Sequence, residues 1–309
     1  MGGTKGSHVV LDNPALLAVT GEREIFFEHS DGRIVLIYPL KGRVLVGTTD
    51  LEHDITQPIR CTEDEVDYFF ELVAHVFPQI AVDRSNIVYR FAGVRPLPRH
   101  DDEAPGFVSR DYRIESRPLG ARSGTLLSLV GSKWTTFRAL AEHLSGDILN
   151  LLQMPRVVST AGLAIGGGKG FPSTDAAHQV WVTAHGDEVG VSRATALLAR
   201  YGTRAADVIS WLVDGEDASL RNNPAYSRRE IEYLAATESV VHLIDVLLRR
   251  TSLAFVGGLS AALLAELAEV IAPVLAWDHA RVGAEIEAAT EELRAAHGSV
   301  LSREAVSTL

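Results

Sequence analysis

Several short stretches of this sequence place charged or proton-carrying side chains where the chain changes direction. Residues 126–144, LLSLVGSKWTTFRALAEHL, pass from an apolar strand pattern through Gly131, Ser132 and Lys133 into an amphipathic helix pattern. At such a corner the amides of Lys133, Trp134 and Thr135 leave the first helical turn, where unsatisfied N–H groups and the helix dipole favour an anion. Lys133 adds a full positive charge. The same spacing also suits a plainer reading, in which Thr135 or Thr136 caps the helix and Lys133 is solvated. In FAGVRPLP, Arg95 ends an apolar strand just before a proline, and its planar fork can meet a carboxylate or phosphate or pair with a nearby acid. FVSRDYRI sets Arg110 beside Asp111, which suits an internal ion pair. VGTTD closes a strand with two hydroxyls and a carboxylate, a turn by default, and TKGSHVV carries Lys5 and His8 into the first strand.

Composition narrows what such residues can serve. The chain has 309 residues, enough for two ordinary domains, and 40 acidic against 29 basic residues give a formal charge of -11. That balance argues against nucleic acid as a partner and requires any anionic ligand to find a locally basic pocket. One cysteine, Cys61, excludes an internal disulfide framework, and no Cys/His cluster has zinc-ligand spacing, so a reducing compartment without structural metal is expected. No span has the length of a transmembrane helix, and the first residues lack the pattern of a signal peptide.

The elements that must position these residues fall into two regions. Up to about residue 130 the pattern is rich in strands (HVVL, EIFFEH, RIVLIYP, RVLVGTT, NIVYRFAG, GFVSRDYRI, TLLSLVG), expected to share a mixed or antiparallel sheet. Ser30-Asp31-Gly32 is a hairpin signal. One helix is expected to interrupt the sheet, with Thr62 and Glu65 as a capping box ahead of VDYFFELVAHVF. The predicted fold is therefore α+β over residues 1–158, a linker over 159–175, and a helical domain over 176–309 with a second capping box at Ser227 and Glu230. The linker includes GGGKG, which fails as a dinucleotide fingerprint because the third glycine position falls on Phe171, and which reads as flexible punctuation.

Taken in order, TKGSHVVL, GRVLVGTTD, FAGVRPL, VSRDYRI and GSKWTTFRALAEHL resemble the C-terminal portion of the FAD-dependent, quinone-linked glycerol-3-phosphate dehydrogenases, flavoproteins of the D-amino-acid-oxidase group. The resemblance, not the composition, implies FAD as cofactor, glycerol 3-phosphate as substrate and quinone as electron acceptor. It further implies a glycine-rich FAD-binding Rossmann half that these residues lack, so the isolated chain is expected to be inactive and to hold FAD weakly. By the same resemblance Arg95 clamps the substrate phosphate, His8 accepts the hydroxyl proton, and Thr48 and Arg110 contact the substrate. Gly131, Ser132, Lys133, Trp134 and Thr135 would meet the flavin, with Lys133 stabilising its reduced form. The family reads Gly-Gly-Lys where this chain has Gly131-Ser132-Lys133. A cytoplasmic protein, peripheral on the membrane face and able to form homo-oligomers, is implied. The competing expectation is a non-catalytic subunit that docks a separate FAD-binding chain.

Overall fold

The computed structural model describes residues 2–97, 111–120, 124–131, 133–299 and 301. The chain divides into two compact units, Met1–Leu163 and Ala164–Leu309.

In the first unit, strands β1 (Gly2–Leu11), β2 (Ile25–Glu28), β3 (Ile34–Leu40), β4 (Arg43–Gly47), β5 (Leu51–Glu52) and β6 (Ile87–Leu97) form one sheet in the order β2-β3-β4-β1-β5, with β6 on the other side of β1. Every pairing in it is antiparallel. The β2–β3 turn is the expected hairpin, with Gly32 at a φ of 80° that its missing Cβ permits. Strand β1 is the centre of the unit. It pairs with β6 along its whole length, and on its other edge with β5 near Thr4 and with β4 near His8.

Because side chains alternate along a strand and directly paired residues share a face, this register sorts the sheet into two surfaces. One surface carries Val9, Leu11, Val35, Ile37, Val44 and Val46, all buried, and packs against helices α1 (Pro14–Thr20) and α2 (Glu63–Val76) through Leu16, Val66, Phe69 and Leu72. The other surface carries Thr4, Gly6, His8, Gly47, Phe91, Gly93 and Arg95. Helix α2 forms the expected capping box, Thr62 accepting from the Glu65 amide and the Glu65 carboxylate accepting from the Thr62 amide. Helix α1 is an addition to the expected single helix; Asn13 caps it and Pro14 opens it, because a first-turn proline loses no hydrogen bond.

Strands β7 (Arg113–Pro118) and β8 (Thr125–Val130) form a separate antiparallel hairpin that leads into α3 (Phe137–Leu151). The second unit is helical: α4 (Asp175–Val189), α5 (Val191–Tyr201), α6 (Ala205–Val213), α7 (Arg228–Thr237), α8 (Leu243–Asp245), α9 (Ala261–Ile271) and α10 (His279–His297). Four features of this region depart from the sequence pattern. Helix α4 carries no apolar stripe that would mark its ends in the sequence. VVHLIDVLLRRTSLAF has the apolar spacing of one helix, but α8 passes into a π-turn at Val246–Arg250, and the Thr251 hydroxyl donates to the Val246 carbonyl as the chain becomes extended. GGGKG is not loose punctuation, since the Thr203 hydroxyl donates to the carbonyls of Gly167 and Lys169 and a Cβ at Gly202 would lie 2.5 Å from the Gly167 oxygen. At the second expected box Ser227 does accept from the Glu230 amide, but the buried Glu230 carboxylate turns to Arg193, Arg200 and Tyr201 instead of back to the cap.

Candidate active site

The strand register brings His8 and Arg95 onto one face of the sheet. Arg95 stands opposite Thr4 and lies over Gly6, two residues along β1 from His8. Glycines make this possible: a Cβ at Gly6 would sit 2.6 Å from a terminal Arg95 nitrogen, and a side chain at Gly47 would collide with the His8 ring. Nothing lies within 4 Å of where a Cβ at Gly93 would be, so the floor between them is open. Phe91 stacks on the His8 imidazole with ring centres 4.8 Å apart and planes 5° from parallel, fixing its orientation.

Asp50 accepts from Arg95 at 3.0 Å and steadies the guanidinium; the two side chains are 19% and 31% exposed. One nitrogen is thus spoken for, and the fork retains further donors. Two polar atoms on this face are enclosed without a hydrogen-bond partner, His8 Nδ1 and Thr4 Oγ1. An unanswered buried polar atom costs about 1–3 kcal/mol, so a hydrogen bond supplied to either atom would be favourable.

Burial, and then the charge of Arg95, lower the His8 pKa from 6.5 to about 4. The shift moves His8 below the ordinary histidine range. The ring is neutral at working pH, and with its proton on Nε2 it offers a lone pair at Nδ1. The unfolded chain takes up a proton below pH 6.5 that the folded chain refuses until about pH 4, so this contribution is complete above pH 6.5 and lost as pH falls through that window. It amounts to about 3 kcal/mol. Denaturant unfolding between these pH values is expected to show the fall in wild type and a flatter profile in His8→Gln; parallel profiles would remove His8 as the cause.

Beneath the sheet, on the opposite face, Glu65 gathers a buried hydrogen-bond cluster. Its carboxylate accepts from Lys5 at 2.8 Å, Ser7 at 2.8 Å, Thr49 at 2.7 Å and the Thr62 amide at 2.8 Å. Burial alone would raise the Glu65 pKa; these hydrogen bonds outweigh it and hold the carboxyl below its ordinary range. Thr49 also accepts from the Ser7 amide at 2.9 Å, so the segment after β4 that carries Asp50 is tied to β1. Sequence reasoning saw Glu65 only as a cap, and in VGTTD it singled out Thr48 and not Thr49 or Asp50. Thr48, the hydroxyl it selected, is half-buried and donates to the Thr49 carbonyl at 3.1 Å.

Lys133 stands elsewhere, at the end of the β7–β8 hairpin and not on the sheet with His8 and Arg95. Gly131 has a φ of 76°, and a Cβ there would lie 2.8 Å from the Asp111 carbonyl oxygen, so this glycine is required by the turn. Lys133 leads into a 3₁₀ turn at Trp134–Thr136 that continues as α3, and no side chain caps either start. The Thr136 hydroxyl and amide both donate to the Lys133 carbonyl instead, which overturns the plain capping reading and leaves the Trp134 and Thr135 amides without a side-chain cap. Trp134 is 89% exposed. Arg110 and Ser132, both selected from the sequence, lie outside the described residues. Among the described residues no three His, Cys, Asp or Glu side chains gather as a metal site, and no helix is long and apolar enough to cross a membrane.

A family model described as FAD dependent oxidoreductase matches residues 1–143, and one described as the C-terminal domain of alpha-glycerophosphate oxidase matches residues 158–282. The chain belongs to this family of FAD-dependent oxidoreductases. It is 27% identical to a glycerol-3-phosphate dehydrogenase of Synechocystis sp., over 83% of this chain and 46% of that protein. A glycerol-3-phosphate dehydrogenase of Pseudomonas tolaasii is 30% identical over 81% of this chain and 48% of its own length. The chain thus spans about half the length of the curated relatives it matches. The fold is shared with the crystal structure of glycerol-3-phosphate dehydrogenase from Bacillus halodurans complexed with FAD, with a TM-score of 0.75 at 22% identity, covering 96% of this chain and 57% of that one.

Proposed function

We propose that this chain supplies the substrate side of an FAD-dependent oxidation of sn-glycerol 3-phosphate to dihydroxyacetone phosphate, working with an FAD-binding half outside these residues. The observation that carries the proposal is the neutral His8 beside Arg95, on a face where His8 Nδ1 and Thr4 Oγ1 are unanswered. Arg95 binds the phosphate through the donors that Asp50 does not occupy. The bound dianion offsets the guanidinium charge and raises the His8 pKa, making the imidazole a better acceptor for the alcohol proton at Nδ1. When the product leaves, Arg95 again disfavours imidazolium and the proton returns to water. Phe91 holds the ring in place throughout.

FAD fits the residues at the second corner: the Trp134 and Thr135 amides, which no side chain caps, and the ammonium of Lys133 suit an electron-rich edge, and Gly131 leaves the backbone bare. When bound, FAD supplies a two-electron acceptor. Exposed Leu126, Leu129, Trp134, Phe137, Ile148 and Leu151 support a covering half, because large apolar exposure marks an interaction surface. A substrate contact by Arg110, flavin contacts by Ser132 and Thr135, quinone as the acceptor and attachment at a membrane face belong to the same proposal and rest on the family alone.

The test mixes the chain with a separately expressed FAD-binding half. Formation of a flavin-containing complex whose visible absorbance is bleached by sn-glycerol 3-phosphate, and not by amino acids, is expected. A complex that docks FAD protein without bleaching would favour a non-catalytic docking subunit.

A further inference from the structure

The second unit contains a cavity of about 240 Å³ that none of the chemistry above uses. Its wall includes three guanidinium groups, Arg204, Arg249 and Arg250, against one carboxylate, Glu238, in a chain whose formal charge is -11. Two of these cations are answered: Arg204 by Glu238 at 3.4 Å and Asp207 at 3.7 Å, and Arg249 by Asp245 at 2.8 Å. Arg250 has no ion pair among the described residues, and its Nε is enclosed with no hydrogen-bond partner. The Tyr233 hydroxyl accepts from Arg204 at 3.1 Å, which leaves its own proton for another acceptor.

The wall is therefore rich in donors and poor in acceptors. Its construction is specific: the π-turn at Val246–Arg250 brings consecutive arginines to one cavity, and such turns recur at functional sites. On the other side Gly167, held against Gly202 and by Thr203, brings bare backbone to the wall. We propose that this cavity binds a phosphate monoester, with Arg250 as its anchor and Tyr233 as a second donor. A tetrahedral oxyanion presents the acceptors that the wall lacks, and a guanidinium fork can hold two of its oxygens at once. The cavity volume leaves room for a short organic group attached to the phosphate.

The full chain is titrated with inorganic phosphate at constant ionic strength, and with phosphatidylcholine vesicles with and without phosphatidic acid. Saturable binding of inorganic phosphate identifies a free phosphate as the ligand, and binding only to phosphatidic acid identifies a lipid headgroup; either supports the site if it depends on these residues. Arg250→Gln is expected to weaken binding by about tenfold or more, and the isosteric Tyr233→Phe by several-fold. The titrations are made on Arg95→Met, which removes the candidate phosphate contact in the other unit, so that binding reports this cavity alone. Absence of binding in both titrations, or undiminished affinity when Arg250→Gln and Tyr233→Phe are each added to Arg95→Met, would overturn the proposal.

Discussion

Arg95→Lys in the FAD-loaded enzyme is expected to raise the KM for glycerol 3-phosphate by about tenfold or more while changing kcat far less. Asp50 already occupies one Arg95 nitrogen, and the remaining donors of the fork are what a phosphate dianion would use. Lysine offers one ammonium. Drawn to Asp50, it has no second group to present, and its shorter reach leaves the space over Gly6 unfilled. The loss is one of binding common to ground state and transition state, so it belongs in KM. An unchanged KM would take Arg95 out of the phosphate role and leave it as a structural partner of Asp50.

Glu65→Leu is expected to destabilise the first unit by about 3–5 kcal/mol, because it strands a buried ammonium at Lys5 and also leaves Ser7 and Thr49 without their acceptor. Replacing both charges, with Lys5→Met and Glu65→Leu together, is expected to recover much of that loss, since an apolar pair of similar size removes the unpaired charge. Equilibrium unfolding of the two single variants and the double variant measures the coupling. Additive losses would show that Lys5 and Glu65 do not act as a pair. Because Thr49 precedes Asp50 in the chain, the same variants are expected to loosen the support of Arg95 as well as the core.

The parts of this molecule written in local sequence were legible. Alternating apolar residues marked β3 and β4, Asp31-Gly32 marked the turn that joins β2 to β3, and Thr62 with Glu65 marked the start of α2. The signal for α1 was also present, in Asn13 before Pro14, but seven residues with little periodicity do not stand out. What stayed hidden depends on register. Gly6 and Gly47 look like ordinary strand glycines until β1 is laid against β4 and β6, and only then do they become the clearance for Arg95 and His8. Likewise Asp50 and Arg95 are 45 positions apart, and an acid at a strand end gives no sign of which distant arginine it will meet. His8 illustrates the same limit for chemistry, since its lowered pKa comes from burial and a neighbouring strand.

Single-turnover reduction of the flavin by sn-glycerol 3-phosphate, followed across pH in wild type and His8→Asn, tests the role of this face most directly. Wild type should reduce the flavin rapidly, with an acid limb that reports a neutral base. His8→Asn should be slowed by about a hundredfold or more and lose that limb, as removal of a general base does. Reduction at the wild-type rate, with the same acid limb, would contradict proton acceptance by His8 and with it the assignment of the His8–Arg95 face as the active site.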